Sequence, residues 1–151
     1  MTPTVRRLAF AIAAAALSHS APLSAGEDLT KAEPDDPAVV ARGKSVYDRH
    51  CASCHGAKFE GQPDWRHRLP NGRMPAPPHD PTGHTWHHSD KQLFDMTKIG
   101  PAGLVPGYQS DMPGFKDILS DADIWAVLSY IESAWPPEIR ARQQRMSRQA
   151  K

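Results

Sequence analysis

The chain is expected to fold as a single all-α domain, on three observations. Three stretches repeat apolar residues at spacings of three and four, each behind a residue that can cap a helix. Between them the pattern vanishes into segments crowded with proline and glycine. At the end of the first stretch stands Cys51-Ala52-Ser53-Cys54-His55. Residues three apart share one face of a helix, so this spacing aims two thiols in one direction and sets an imidazole beside them.

The first helix is expected to open at Asp36-Pro37, with aspartate as cap and proline in the first turn, where its missing N–H costs little. Val40, Gly43, Val46 and Tyr47 carry its pattern into Cys51. Glycine is a poor helix former, so Gly43 in mid-helix points to a close crossing with another helix. From Gly56 to His88 no regular element is expected, because Pro63, Pro70, Pro75, Pro77, Pro78 and Pro81 interrupt any period. Ser89 caps a short second helix, Asp90 to Lys98, with Leu93, Phe94 and Thr97 on one side and Gly100 as its stop. Pro101 to Asp111 reads as loop. Ser120-Asp121-Ala122-Asp123 has the form of a capping box with aspartate in place of glutamate. It opens the strongest helix, whose stripe is Ile124, Val127, Leu128 and Ile131, flanked by Trp125 and Tyr130 and ended by Pro136-Pro137. The remaining Arg140, Arg142, Arg145, Arg148 and Lys151 form a basic tail, read as a solvated helix or a frayed end.

Composition bounds the rest. Arg6 and Arg7, the apolar run Leu8 to Leu17 and the small residues Ser20, Ala21, Ser24 and Ala25 have the layout of a secretory signal peptide. Cleavage is expected after Ala25, with Gly26 as the competing boundary. The run is short of the roughly 20 residues of a membrane span, so contact with a membrane is expected only if the segment stays uncleaved. No cysteine stands near it to carry a lipid. Four parts follow: a signal peptide over 1–25, a flexible polar leader over 26–36, the domain over 37–135 and the basic tail over 136–151. Lys and Arg number 18 against 17 Asp and Glu. Loss of Arg6 and Arg7 leaves the exported chain within one charge of neutrality, which argues against nucleic-acid binding. A mean hydropathy of −0.57 and 15 prolines describe a loop-rich soluble protein.

Cys51 and Cys54 are the only cysteines, and a zinc site would want four ligands, usually with a second cysteine pair. C-x-x-C-H is instead the pattern in which both thiols add to the vinyl groups of a haem and the histidine ligates its iron. A covalent haem c also accounts for the long proline-rich segment, since the porphyrin supplies apolar surface for a loop to wrap. Export and haem attachment together place the protein in the periplasm. His55 is the expected proximal ligand, its other ring nitrogen held by a backbone carbonyl. For the opposite side of the iron, Met74 and Met112 both sit in loops before a proline, which favours an extended backbone. Met112 is preferred, because it lies between the second and third helices and can return over the far face. His79, His84, His87 and His88 fall within ten residues and admit two readings. One is a second site for copper or zinc. The other has Trp86 and one histidine reaching the haem propionates, the rest being exposed. A bis-histidine haem using His84 or His88 is a further alternative.

A first helix running into Cys51-Ala52-Ser53-Cys54-His55, a proline-rich wrap, a second helix, Asp111-Met112-Pro113-Gly114-Phe115 and an aromatic last helix together resemble the class I c-type cytochromes. The resemblance covers about residues 37–135. It implies the class I cytochrome c fold: N- and C-terminal helices crossing, Gly43 and Tyr47 near Val127 and Tyr130, and long loops around one covalent haem. It also implies His/Met ligation, carried to His55 and Met112. The stretch Trp65 to His88 is longer and richer in histidine than in a minimal member, which leaves Pro75 and Pro77 both eligible as the carbonyl for His55. The expected function is one-electron transfer to redox proteins by weak, transient docking. Two alternatives stand beside it: a peroxidase-like or gas-binding haem enzyme with an open sixth position, and the electron-transfer subunit of a periplasmic dehydrogenase or oxidase.

Overall fold

The structure is a computed structural model that describes residues 29–150. The expected signal segment 1–25 and the start of the leader lie outside the described residues. The described chain holds helices α1 (Pro37–His50), α2 (Ala52–His55), α3 (Asp90–Ile99), α4 (Pro101–Leu104), α5 (Asp121–Ser133) and α6 (Pro137–Gln149), with one 3-10 turn at Thr85–His87. No strand occurs among the described residues, and no helix among them is long and apolar enough to cross a membrane. The all-α expectation holds.

The local signals at the helix ends act as read. Asp36 Oδ1 accepts from the Ala38 and Val39 amides at the start of α1, with Pro37 in the first turn. Ser89 and Gln92 close a capping box on α3, and Ser120 and Asp123 close one on α5. Each satisfies N–H groups that have no partner inside the helix. Gly100 ends α3 at φ +83, a conformation that suits glycine.

The central packing is α1 across α5. A Cβ at Gly43 would lie 1.9 Å from the Ala126 carbonyl oxygen and 2.9 Å from Tyr130 Cβ, so only glycine lets the two backbones meet. Tyr47, one turn on, is fully buried and meets the Tyr130 ring edge-on at 5.5 Å. Around this crossing Val46, Tyr47, Phe59, Leu93, Phe115, Leu119, Ile124, Val127, Leu128, Ile131 and Trp135 form one core. Burial of each large apolar side chain is worth about 1.5–3 kcal/mol. Trp125 stacks on Phe94 at 4.3 Å and ties α5 to α3.

Three segments differ from the expectation. Pro101–Leu104 forms the short α4 where loop was read, because Pro101 is preset for a first helical turn. Helix α5 stops at Ser133, ahead of Pro136-Pro137, and Pro137 then opens α6 rather than only ending its predecessor. The basic tail continues as helix α6 with Arg142, Arg145 and Arg148 exposed, as one of the two readings had it, but one face of it is docked. Gln143 is fully buried, and Ser147 Oγ accepts from the Asp90 amide at 2.9 Å. The described part of the leader is pinned as well: the Glu33 amide donates to Ser129 Oγ at 2.8 Å and Arg140 pairs with Asp35.

Replacing Gly43 with alanine is expected to cost about 1–3 kcal/mol through overpacking at the crossing, read as a lowered Tm with helical content retained at low temperature. Ser120→Ala, which removes the cap of α5, is expected to cost about 1 kcal/mol in denaturant titration.

Candidate haem site

Helix α1 delivers the cysteines. The Cys51 amide still donates to the Tyr47 carbonyl, and the Cys51 carbonyl accepts from the amides of Cys54 and His55 at 3.1 and 2.9 Å. Cys51 therefore ends α1 and starts the single turn α2, which fixes both thiols and the imidazole in one rigid unit. Both cysteines are free; Cys51 is half-buried against the core and Cys54 is exposed. Burial, reinforced by neighbouring Cys54, pushes the Cys51 thiol up to about 11. Gly56 turns the chain away at φ +81, and its carbonyl accepts from the Tyr47 hydroxyl at 2.9 Å.

His55 is buried, and its Nδ1 lies 2.9 Å from the Pro77 carbonyl. A carbonyl only accepts, so Nδ1 carries the proton and Nε2 is the bare nitrogen. This selects Pro77 over Pro75. Burial lowers the His55 pKa while the Pro77 contact opposes the shift. The carbonyl is held in place by backbone pairing across the wrap: Gly61 N–H to His55 O at 2.8 Å, and Gln62 N–H to Ala76 O at 2.9 Å. A Cβ on Gly61 would lie 2.5 Å from Pro78 N, so the two strands of the wrap close only around glycine.

The histidine cluster is divided. His79 leaves the group and stacks on His55, ring centroids 4.0 Å apart and 21° from parallel. Its Nδ1 is 2.8 Å from Thr85 Oγ1, and its carbonyl accepts from Trp135 Nε1 at 2.7 Å. Burial, followed by the nearby His55 and His84 rings, pushes His79 well below the usual histidine range. His84 stacks on Trp65 and meets His88 edge-on at 5.5 Å, while His87 meets Trp86. No three His, Cys, Asp or Glu side chains converge on a metal position among the described residues. Trp86 commits its N–H to the Pro81 carbonyl at 3.3 Å, under Arg142. The place of His79 beside His55 was missed by the sequence reading; its only signal is a position two residues after the carbonyl that holds His55.

Met112 packs, half-buried, against the core. Its segment is fastened to the end of α3 by Phe115 N–H to Thr97 O and Lys116 N–H to Lys98 O, at 3.1 and 3.0 Å. Gly114 makes this approach possible, since a Cβ there would lie 2.5 Å from the Ile99 carbonyl oxygen. Met74 is half-buried on the neighbouring loop, and the two loops are joined by an ion pair between Arg73 and Asp111. The donor set is thus two thiols on one turn, an imidazole with a bare Nε2, and thioethers on a fastened loop. Those donors would suit a covalent haem held through the two thiols, with the imidazole beside them.

Comparison with known proteins agrees. The Cytochrome c family model matches residues 40–135. The cbb3-type cytochrome c oxidase subunit CcoP of Rhodobacter capsulatus is 31% identical over 103 residues, covering 67% of this chain and 31% of that subunit. CcoP of Azospirillum brasilense is 30% identical over 98 residues, 65% of this chain and 29% of the subunit. The chain therefore spans about a third of the length of these subunits. Cytochrome c-555 of Prosthecochloris aestuarii is 33% identical over 72 residues, 44% of this chain and 73% of that protein. No solved structure gives a significant match. With a family match over most of its length, the expected fold, and Cys51, Cys54 and His55 drawn together on α2, the chain belongs to the cytochrome c family, which implies covalent haem c.

Proposed function

We propose that the protein is a periplasmic one-electron carrier whose haem is attached through Cys51 and Cys54 and ligated by His55 and Met112. The observation that carries this reading is the Pro77 carbonyl on His55 Nδ1. It fixes the tautomer and the ring plane and leaves Nε2 for iron. Haem, when bound, supplies a one-electron couple, and a methionine opposite histidine raises its potential. The residues around it hold rather than react. Tyr47 anchors the turn that follows His55, His79 fills the space beside the imidazole, and Gly114 seats the Met112 loop. Partners would be redox proteins docking weakly and briefly, over less than about 1,200 Å². Export rests on the Arg6-Arg7 and Leu8–Leu17 pattern.

The likeness to CcoP favours a second reading, in which the chain delivers electrons within a larger oxidase. Co-purification of the haem-loaded chain in stoichiometric amounts with a membrane oxidase is the result that would select it over a freely diffusing carrier.

Far-red absorption of the oxidised protein tests the ligand set. The sulfur-to-iron charge-transfer band is expected in the parent and absent from Met112→Ala. Survival of the band in that variant would transfer the ligand to Met74, and its absence from the parent would overturn methionine ligation. Gly114→Val is expected to weaken the band without loss of helix, because the added side chain pushes the Met112 loop off the end of α3.

A further inference from the structure

Helix α6 lies beyond the residues matched by the family model; Ile139 packs it on the core and Arg142 on Trp86, and its one buried residue makes a polar contact. Glu132 on α5 is 2% exposed and Gln143 on α6 is 0% exposed. Each presents a buried Oε1 that no donor reaches among the described residues. Asp90, at the start of α3, completes the group: its Oδ1 accepts from Gln143 Nε2 and, at 2.7 Å, from Ser147 Oγ. Gln143 Nε2 also reaches the His88 carbonyl at 3.3 Å and Ser147 Oγ at 3.1 Å. One buried carboxylate on α5 and one buried amide oxygen on α6 are therefore without a donor, while the half-buried Asp90 on α3 takes the donors that α6 offers.

A buried acceptor without a donor is costly, and a buried carboxylate anion without one is more so. One proton on Glu132 removes the charge and turns an acceptor into a donor. The charged groups facing Glu132 are Asp90 from α3, which disfavours its anion, and Arg140 from α6, which favours it. Arg140 is shared with Asp35 of the leader at 2.9 Å.

We propose that a proton held by Glu132 latches α6 onto α3 and α5, and that α6 docking weakens as the pH rises. Burial first and Asp90 second push Glu132 up to about 8, against 4.5 for a free glutamate. Below pH 4.5 both the docked and the open forms hold the proton, so docking is independent of pH. Between 4.5 and 8 only the docked form holds it, and the docking constant falls about tenfold per pH unit. Above 8 both forms have lost it and the dependence ends. The latch reaches further than α6, because Gln143 also secures the His88 carbonyl, at the end of the wrap that presents Pro77 and His79.

Amide hydrogen exchange of the haem-loaded protein from pH 5.5 to 9, corrected for the intrinsic pH dependence of exchange, tests this. Protection of α6 is expected to fall about tenfold per unit and to level off near pH 8, while α1 stays protected. Glu132→Gln keeps a donor that does not titrate, and its α6 protection is expected to be flat and high. A flat parent profile, or the same slope in Glu132→Gln, would overturn the proposal. If that variant fails to fold, Asp90→Asn serves instead. Removing the facing charge moves the levelling point to lower pH, and an unmoved point would count against the latch.

Discussion

Everything else in the molecule depends on how closely α1 and α5 approach. The Gly43 backbone rests against the Ala126 carbonyl, and that contact sets where α1 ends. Because Cys51 terminates α1 and begins α2, the same contact sets the position of both thiols and of His55. A site that must hold its ligands to within a fraction of an ångström is built at the end of a rigid helix rather than on a free loop. Tyr47 joins the two levels: its ring packs on Tyr130 at the crossing while its hydroxyl holds Gly56 just past the imidazole.

The long wrap solves a different problem. A stretch this poor in regular structure must still satisfy its backbone groups. It does so by pairing across itself, Gly61 to His55 and Gln62 to Ala76, with Gly61 and Gly83 allowing approaches that a Cβ would block at 2.5 and 2.0 Å. The Met112 loop uses the same device at Gly114. The wrap and the Met112 loop are thus both placed by backbone meeting glycine.

Much of this was legible because its causes are local. Asp36, Ser89 and Ser120 cap helices through atoms two or three residues away, and the cysteine spacing is a property of one helical turn. Gly43 was legible as a crossing because a glycine inside a helix needs a reason outside it. The choice of Pro77 over Pro75 was not legible, since both carry the same carbonyl and only the pairing of Gln62 with Ala76 sets the register. Nor was the stacking of His79 on His55, which depends on that register. The docking of α6 was hidden behind its arginines. The one available clue was Glu132, spaced from Leu128 and Trp135 so as to share their buried face.

Asp123 does two jobs with one carboxylate. One oxygen accepts from the Ser120 amide and hydroxyl and closes the cap of α5; the other takes Arg42 of α1 at 3.0 Å from Nε and 2.9 Å from a terminal nitrogen. The start of α5 and its grip on α1 are therefore joined in a single side chain. Fraying of the helix end loosens the crossing, and parting of the helices uncovers the cap. Neither helix has a cheap partial opening at this end, so loss of structure here propagates as one cooperative event and carries the cysteine turn with it.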